Sequence, residues 1–539
     1  MRQLGRLLYP ILFAMSLVFG VAARGAGQYR AWDLALVTIA VAVVTSLVLA
    51  LVLAVLRVGV RSDRAAPLAA ALSMLLVAWF FYYGPAQRAA EAITWRGSRD
   101  QVLIPLGLLA TIGILAWLVR QPRDRLVVVN TLMTRFGALL FAFVVAQLLF
   151  SQRDTSAVAR RSELVRQLAV PLRVSGAVPA GRNQPRRDIY LIVLDGHPNA
   201  RVSHEVLQYD DSSFTDSLRA LGFTIPREMH GNYAQTILSV PSLLNATHVT
   251  QLAKDAGENN PSYALPTYLV ENNRSARFLR SQGYEYVLFP SMWWTQTQHS
   301  PISDREFDAR PSHTLANELR RTELRQVVLN ATLLRFRPPP PLDPRHEAET
   351  MAGLKPMPAS GGAPKFVFAH VLLPHMPYYL DASCHTLAHP IQPEQEDGAS
   401  PEQRAAHLAQ MRCVDGMVLD VVTTLLRDSR TPPIILVVGD HGTRFTYPRF
   451  SERPHSLPAA FMRERFGPLG AFYLPAGGDS AFTGSVSLVN VMGNVLRYYF
   501  GADIPPSPDE MYVSGTYAYR FYRVDSTGYV GRRGTTASR

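Results

Sequence analysis

Lysine is nearly absent from this sequence of 539 residues, and its positive charge comes almost entirely from arginine. Only Lys254, Lys355 and Lys365 are lysines, although the formal net charge is +12. The arginines are scattered through the loops, and no basic run is interleaved with aromatic residues as in nucleic-acid-binding proteins. The composition therefore argues against a nucleic-acid partner and favours a membrane or an anionic lipid.

Cysteine is also scarce, since only Cys384 and Cys413 occur. No Cys-x-x-Cys spacing is present, which argues against a zinc finger. A lone cysteine pair in an exported domain is more often a disulfide than a metal site. We therefore predict a disulfide between Cys384 and Cys413.

Apolar residues are concentrated in the first part of the chain. A helix needs about 20 predominantly apolar residues to cross a hydrocarbon core of about 30 Å. Five runs approach or exceed this length, at residues 7–23, 31–56, 65–86, 102–119 and 126–150. The sequence therefore predicts a membrane domain of about five helices over residues 1–150.

Arginines near the ends of these runs indicate the orientation of the membrane domain. One set of loops contains Arg2, Arg6, Arg57, Arg61, Arg64, Arg120, Arg123 and Arg125. Loops rich in arginine face the cytoplasm, so the chain after residue 150 is expected on the outer side. In an alternative interpretation, residues 7–23 are a cleaved signal peptide, which leaves four spans and the same orientation. Arg135, inside the fifth run, is either a functional residue or extends towards the cytoplasmic end or a partner in the bundle.

The remainder of the chain is predicted to be soluble. Residues 151–187 are polar and arginine-rich and predict a juxtamembrane helix and linker, and residues 521–539 predict a C-terminal tail. Between them, residues 188–520 alternate strand patterns with helical patterns, which predicts an α/β domain with a mostly parallel central sheet. Predicted strands are 189–194, 286–289, 366–371, 434–438 and 471–474, and predicted helices include 275–282, 402–427 and 486–499. Residues 335–364, which contain four consecutive prolines, predict an extended surface excursion.

Two of these strands end in residues that can bind a metal. Asp195 follows the strand IYLIVL directly, and Asp440 and His441 follow the strand IILVVG. Open α/β sheets bind ligands at the carboxyl ends of their strands. Two carboxylates and an imidazole at that edge can converge on one divalent cation. An Asp-Gly or Asp-His pair alone is also common turn or cap chemistry, so the prediction depends on the two strand ends together.

Further candidates lie between and after these strands. Thr236, in the loop-to-helix segment that begins at Asn232, is a candidate nucleophile or a simple helix cap. His370 and His375, near the end of another strand, could orient a phosphoryl group, protonate a leaving alcohol or bind a second metal; a buried structural histidine is the alternative for His370. Asn232, Arg444 and His455 are weaker candidates for binding an anionic substrate.

The order of these motifs resembles the sulfatase-like branch of the alkaline phosphatase superfamily. The matching features are an apolar strand ending in Asp, a Thr-x-x-Ser-x-Pro segment, a His-x-Pro segment and a strand ending in Gly-Asp-His-Gly. Five spans followed by such a domain resemble lipoteichoic acid synthases and lipid A phosphoethanolamine transferases. The resemblance implies that Asp195, Thr236, Asp440 and His441 bind a zinc or manganese ion.

The same resemblance implies further roles. Thr236 corresponds to the family nucleophile, and His375 resembles a substrate-contacting histidine, although it stands in a His-Met-Pro rather than a His-Gly-Pro setting. The formylglycine motif of true sulfatases, Cys-x-Pro-x-Arg or Ser-x-Pro-x-Arg, is not matched, because Leu243 stands where its arginine belongs. Cleavage of sulfate esters by that route is therefore not expected.

The leading hypothesis is a phosphotransferase in the bacterial cytoplasmic membrane with its catalytic domain on the periplasmic or extracytoplasmic side. It would move a phosphoethanolamine- or phosphoglycerol-type head group from a membrane lipid onto an envelope glycan or lipid, through a covalent Thr236 intermediate, and His375 would help the lipid alcohol leave. A hydrolase of phosphate esters with the same fold, and a non-catalytic envelope protein, are the two alternatives.

Overall fold

A computed structural model gives the fold. It describes residues 7–24, 29, 31–59, 62–91, 99–175, 185–291, 295–307, 315–316, 319, 322–330, 332, 345–391, 400–447, 454 and 457–524.

The described residues form helices and strands in the following order. The helices are α1 Tyr9–Arg24, α2 Ala31–Gly59, α3 Ser62–Glu91, α4 Arg99–Arg120, α5 Arg123–Arg161, α6 Glu163–Ala169, α7 Ala200–Glu205, α8 Ser212–Ala220, α9 Thr236–Asn245, α10 Leu252–Ala256, α11 Ala264–Glu271, α12 Arg274–Ser281, α13 Glu323–Asn330, α14 Arg345–Leu354, α15 Pro401–Asp428, α16 Ala459–Arg465 and α17 Val491–Phe500. The strands are β1 Ile189–Leu194, β2 Glu228–His230, β3 Glu285–Phe289, β4 Arg305–Glu306, β5 Lys365–Val371, β6 Tyr378–Leu380, β7 Thr386–Ile391, β8 Ile434–Gly439, β9 Gly470–Tyr473, β10 Ser485–Ser487, β11 Met511–Val513 and β12 Tyr522–Val524.

The chain divides into two compact units. The first contains residues 1–156 and 313–340, and the second contains residues 157–312 and 341–539. The segment 313–340, which the sequence pattern predicts inside the soluble domain, therefore belongs to the first unit. Within that unit, Leu324 and Val328 lie one turn apart on α13 and are buried with Tyr9 and Phe13 of α1, which explains the assignment.

The first unit contains four helices that are long and apolar enough to cross a membrane: Ala31–Gly59, Arg64–Gly84, Val102–Arg120 and Arg123–Phe150. The first predicted span forms the shorter α1, of 16 residues. Arg135 lies exposed on α5. The first unit is thus a multi-span helical membrane domain, and the number of spans stays a prediction.

A six-stranded sheet forms the centre of the second unit, in the order β4-β3-β5-β1-β8-β9. Only β9 is antiparallel to its neighbour, so the predicted mostly parallel sheet is confirmed. All five predicted strands are present. Every residue of β1 is buried, because both faces of the sheet are covered.

Successive residues of β1 point to opposite faces of the sheet. On one face, Leu191 packs in a cluster with Val240 of α9 and Val495 of α17. On the other face, Ile192 packs in a cluster with Leu218 of α8 and Val418 of α15. Because helices cover both faces of the sheet, nearly every residue of these strands is buried and apolar. This is the sequence pattern from which the strands are predicted.

Three predictions for the second unit are wrong in part. Of the predicted excursion 335–364, residues 335–344 lie outside the described residues, and the remainder is not extended throughout, because α14 lies within it and buries Met351 and Leu354 in the core. The predicted helix 486–499 begins with strand β10, and only Val491–Phe500 is α-helical, because residues 485–487 pair with β2. The predicted tail 521–539 begins with β12, which pairs with β11, and its residues 525–539 lie outside the described residues.

Candidate functional site

The register of the sheet brings the two predicted metal-binding strand ends together. Leu194 of β1 lies opposite Gly439 of β8, so Asp195 and Asp440 leave the sheet side by side. The backbone N–H of Gly196 donates a hydrogen bond to Asp440 Oδ1 at 2.9 Å, and that of His441 donates to the same oxygen at 3.0 Å. Both carboxylates are almost fully buried, so they lie in a medium that penalises uncompensated charge.

Two glycines permit this close approach. Gly196 has a φ of +71°, in the left-handed region that favours glycine. At Gly439, a Cβ atom would lie 2.3 Å from the carbonyl oxygen of His197. A side chain at Gly439 would therefore push the two segments apart, and one at Gly196 would strain the backbone.

Thr236 joins this cluster from a different element. It is the first residue of α9 and is buried, and its Oγ1 lies 3.1 Å from Nε2 of His441. The other ring nitrogen of His441, Nδ1, lies 3.1 Å from the carbonyl oxygen of Gly442. Because a carbonyl only accepts, Nδ1 carries the proton and Nε2 accepts the hydrogen bond from the Thr236 hydroxyl. All four predicted metal-binding residues therefore lie in one buried cluster.

The cluster fits a divalent cation. Asp195, Asp440 and His441 each offer a ligand atom, and these atoms lie within 4.8 Å of one another. Asp195 Oδ1 and Asp440 Oδ2 are buried and have no hydrogen-bond partner among the described residues. Buried carboxylate oxygens without partners are costly unless a cation binds them. Carboxylate, imidazole and hydroxyl donors together suit zinc or manganese.

The electrostatics of the cluster favour the binding of a cation. Burial raises the pKa of Asp195 to about 7, and the positive charges of Arg465 and Arg444 offset only part of this increase. Burial, followed by the charge of Asp195, raises the pKa of Asp440 to about 7. The pKa of His441 is lowered by its burial and by Arg465, so this ring is neutral and able to bind a cation at neutral pH.

Two predicted histidines also lie at this sheet edge. His370 is fully buried at the end of β5, with Nδ1 3.0 Å from Thr297 Oγ1 and Nε2 3.8 Å from Asp195 Oδ2. Burial lowers the pKa of His370 to about 3. His375 donates from Nδ1 to the carbonyl of Met376 at 2.7 Å, and burial together with the charge of Arg444 lowers its pKa to about 4. Both rings are therefore neutral at pH 7.

The remaining substrate-binding candidates differ in their positions. Arg444 is partly buried and interacts electrostatically with Asp195 and His375, so its charge reaches the cluster. The amide of Asn232 is instead buried in hydrogen bonds with Ser487 Oγ, the carbonyl of Glu510 and the N–H of Val489. These contacts hold the loop before Thr236, and contact of Asn232 with a substrate stays a prediction. His455 lies outside the described residues.

Several polar residues around the cluster were not predicted. They are Arg465, Gln410 and the pair His197–Asp415. All are buried, and each is hydrogen-bonded to a segment that carries a candidate residue. Only His197 has a sequence signal, because it follows Asp195 and Gly196. Arg465 and Gln410 bond to backbone groups, which every residue possesses, so no motif distinguishes them. Asp415 bonds to the side chain of His197 but lies 218 residues away in the sequence.

The predicted disulfide is present. Cys384 and Cys413 are bonded, with their Cα atoms 5.1 Å apart. The bridge connects the segment after β6 to the middle of α15.

Comparison with known protein families identifies one match. The Sulfatase family model matches residues 191–464, about half of the chain, and this span includes Asp195, Thr236, Asp440 and His441. No curated protein matches the chain in a sequence comparison.

Similar solved structures include the integral membrane lipooligosaccharide phosphoethanolamine transferase A from Neisseria meningitidis, with 13% identity, 92% of this chain and 95% of that chain covered, and a TM-score of 0.39. The C-terminal periplasmic domain of EcEptC from Escherichia coli in complex with Zn has 12% identity, covers 66% of this chain and 96% of that chain, and has a TM-score of 0.43. The phosphonate monoester hydrolase of Agrobacterium radiobacter has 11% identity, covers 61% of this chain and 80% of that chain, and has a TM-score of 0.40. Because these identities and TM-scores are low, the assignment depends on the sulfatase match: the chain belongs to the sulfatase family of enzymes.

Proposed function

We propose that this protein is a metal-dependent phosphotransferase that moves a phosphoethanolamine- or phosphoglycerol-type head group from a membrane phospholipid onto an envelope glycan or lipid. The observation that carries the proposal is the position of Thr236. Its hydroxyl is buried, lies at the first turn of α9 and is 3.1 Å from His441 Nε2 beside two carboxylates. A threonine that only caps a helix does not need a neighbouring imidazole and two carboxylates, whereas a nucleophilic hydroxyl needs such groups to activate it.

The transfer would take place in two half-reactions. In the first, Thr236 Oγ1 forms a bond to phosphorus, the bond between phosphorus and the lipid alcohol breaks, and the Thr236 proton ends on the released diacylglycerol. In the second, an acceptor hydroxyl forms the new bond to phosphorus, and its proton returns to Thr236. The head group is carried between the two steps as a phosphothreonine diester.

His375 fits the proton transfers as a neutral base. With Nδ1 donating to Met376 and a pKa near 4, its Nε2 can accept a proton from an incoming hydroxyl. The role predicted from the sequence, in which His375 helps the lipid alcohol leave, would require this neutral ring first to accept the proton of Thr236 and then to pass it to the leaving alcohol. We therefore assign His375 to activating the acceptor hydroxyl and relaying its proton.

Asp195, Asp440, His441 and Thr236 would hold the divalent ion, either zinc or manganese. When bound, the ion would lower the pKa of the Thr236 hydroxyl and stabilise negative charge on the phosphoryl group. Arg444 would add positive charge for the phosphoryl oxygens, because its guanidinium interacts with the same buried carboxylate.

The membrane domain would keep the active site near its lipid substrate. Arginine-rich loops predict that the second unit lies on the periplasmic or extracytoplasmic side of a bacterial cytoplasmic membrane. Attachment to the bilayer converts the encounter with a lipid donor into a nearly intramolecular event. The disulfide Cys384–Cys413 supports the outer location, because structural disulfides persist in oxidising compartments.

The test uses the full-length protein in lipid nanodiscs that contain phosphatidylethanolamine or phosphatidylglycerol, with Mn²⁺ or Zn²⁺. We expect diacylglycerol to be released and the peptide containing Thr236 to gain the mass of the head group. Thr236→Ala should abolish both signals, and Thr236→Ser should retain part of them. An active Thr236→Ala variant would contradict the covalent mechanism.

The same experiment separates the alternatives. Sustained turnover without any acceptor, with free phosphoethanolamine or phosphoglycerol in solution, would indicate a hydrolase. A protein that neither binds Mn²⁺ or Zn²⁺ nor releases diacylglycerol would indicate the non-catalytic envelope protein.

A further inference from the structure

The interior of the second unit contains an arginine that has no role in the two proposed half-reactions. Arg465 is the last residue of α16 and is only 6% exposed. Its Nε donates a hydrogen bond to the carbonyl of Ala234 at 2.7 Å, and its Nη1 donates to the carbonyl of Gly442 at 2.7 Å. A buried guanidinium is costly unless its N–H groups are hydrogen-bonded, and these two bonds meet part of that requirement.

The two carbonyls belong to the two segments that form the candidate active site. Ala234 lies two residues before Thr236, in the loop that enters α9. Gly442 directly follows His441, and its carbonyl also accepts the hydrogen bond from His441 Nδ1 at 3.1 Å. One planar guanidinium therefore connects the segment of the nucleophile with the segment of the metal-binding histidine.

The contact with Gly442 also influences the chemistry of His441. By sharing the carbonyl that accepts Nδ1–H, Arg465 helps to place that oxygen, and Nε2 then remains the nitrogen directed at Thr236 Oγ1, 3.1 Å away. The neighbouring residue strengthens the same loop: the carboxylate of Glu464 accepts hydrogen bonds from Thr443 Oγ1 at 2.6 Å and from Thr446 N at 2.9 Å. Gly442 must be glycine for this packing, because a Cβ would lie 2.0 Å from the carbonyl oxygen of Glu464.

Arg465 also carries charge into the cluster. Burial lowers its pKa to about 10, which leaves it positively charged at neutral pH, and its charge interacts with Asp440 and Asp195. It therefore offsets part of the negative charge that the two carboxylates and an ionising hydroxyl would accumulate.

We propose that Arg465 is the positioning residue of the nucleophilic step: its two hydrogen bonds hold the Thr236 segment and the His441 segment in the mutual position that places Oγ1 against Nε2. This inference rests on the proposed function. A displacement of about 1 Å at a reacting atom can reduce a rate about 100-fold, so loss of the connection should be visible in the rate.

The test compares Arg465→Ala and Arg465→Lys in the full-length protein. The control is Arg463→Ala, two residues earlier in α16, where the side chain is 57% exposed. Three quantities are measured: the initial rate of Thr236 adduct formation, Mn²⁺ affinity by electron paramagnetic resonance, and melting temperature. We expect Arg465→Ala to lower the rate by about 100-fold and added guanidinium to restore about tenfold, because the free cation can occupy the vacated position.

Mn²⁺ affinity distinguishes positioning from general collapse. Removing a positive charge near the metal ligands should leave the affinity unchanged or increase it, whereas collapse of the site would decrease it. Arg465→Lys keeps the charge but lacks the planar fork, so it should fold, bind Mn²⁺ as the parent does and still react about tenfold more slowly.

A parent-like rate in Arg465→Lys, a loss of rate that parallels loss of Mn²⁺ affinity, or absence of guanidinium rescue would overturn the inference. Failure of the proposed function is recognised separately, because it would appear as activity in Thr236→Ala. If Thr236→Ala is inactive while Arg465→Ala reacts normally, only the positioning role is wrong.

Discussion

The side chain of Gln410 donates a hydrogen bond to the backbone carbonyl of His375 at 3.0 Å. The same amide nitrogen donates to Pro374 O at 3.3 Å, and the amide oxygen accepts from the N–H groups of Tyr379 at 2.9 Å and Leu380 at 3.2 Å. One fully buried residue of α15 thus connects both ends of the segment that carries His375.

Replacing Gln410 should affect the second half-reaction more than the first. Gln410→Leu leaves four backbone groups without their partner, and each buried group that remains unpaired costs about 1–3 kcal/mol. We expect a lower melting temperature and a Thr236 adduct that accumulates, because His375 no longer activates the acceptor. Adduct mass and product release measured together check this. Asp420→Asn, an exposed position on the same helix, is the control; equal slowing of both half-reactions would contradict the prediction.

The disulfide supports the same segment from its other end. Cys384 follows β6 and is bonded to Cys413, one turn after Gln410 on α15. Closing a loop with a sequence separation of 29 residues stabilises the folded state by about 3–4 kcal/mol in the chain-entropy treatment. We expect Cys384→Ser with Cys413→Ser to melt at a lower temperature, and reductant to lower the melting temperature of the parent but not of the double variant. Thiol labelling without reductant should find no free thiol in the parent.

The sequence is sufficient to predict five of the six strands of the sheet and the positions of the candidate metal ligands, because each has a local signal. The strand 189–194 is continuously apolar since both of its faces are covered, and Asp195 and Asp440 occupy its end and that of its neighbour. The order of these residues along the chain is enough to identify the family.

The supporting residues could not be predicted for a physical reason. Gln410 and Arg465 bond to backbone carbonyls and N–H groups, and no side-chain pattern marks the partner. The helix α14 could not be predicted, because it is short and follows a run of prolines. Its few apolar residues, here Met351 and Leu354, form no clear helical pattern in the sequence, and their burial is evident only from the core that they pack against.

A buried pair next to the candidate metal-binding strand end should contribute to stability in a pH-dependent manner. His197 Nε2 lies 2.8 Å from Asp415 Oδ1, and its Nδ1 lies 2.9 Å from Pro198 O. The pKa of His197 is raised, because the hydrogen bond and charge of Asp415 outweigh the opposing effect of burial. This contribution is complete below the unfolded pKa of about 6.5 and is lost as the pH rises through the higher folded pKa.

Asp415→Asn should therefore destabilise the protein more at about pH 6 than at about pH 9, with a loss of about 3 kcal/mol at the lower pH, as is typical when one partner of a buried pair is removed. Melting temperatures of the variant and parent across this range provide the measurement. Asp216→Asn, which removes an exposed partner of Arg219, should show a small effect at both pH values. A loss of stability in Asp415→Asn that is equal at both pH values would mean that the pair is not ionised.

In the metal-free protein, the candidate metal site gives a pH dependence of the same sign as the His197–Asp415 pair. Burial raises the pKa values of Asp195 and Asp440 to about 7, whereas both ionise near 4 in the unfolded chain. In the metal-free protein, the stability associated with these groups is therefore complete below about pH 4 and is lost as the pH rises through about 7. A divalent cation requires both carboxylates to be ionised, so protons compete with it.

We expect Mn²⁺ to raise the melting temperature of the full-length protein more at about pH 8 than at about pH 6, with an apparent affinity that falls by up to about 100-fold for each pH unit below 7, because two protons must be released. Asp440→Asn removes one of the two carboxyl groups, so this variant should bind Mn²⁺ more weakly. Its affinity should fall by up to about 10-fold, rather than about 100-fold, for each pH unit below 7. Titrations followed by thermal shift and by electron paramagnetic resonance check both slopes. An equal Mn²⁺ effect at the two pH values would show that the ion does not displace protons from these carboxyls, and the metal would then have to be bound elsewhere.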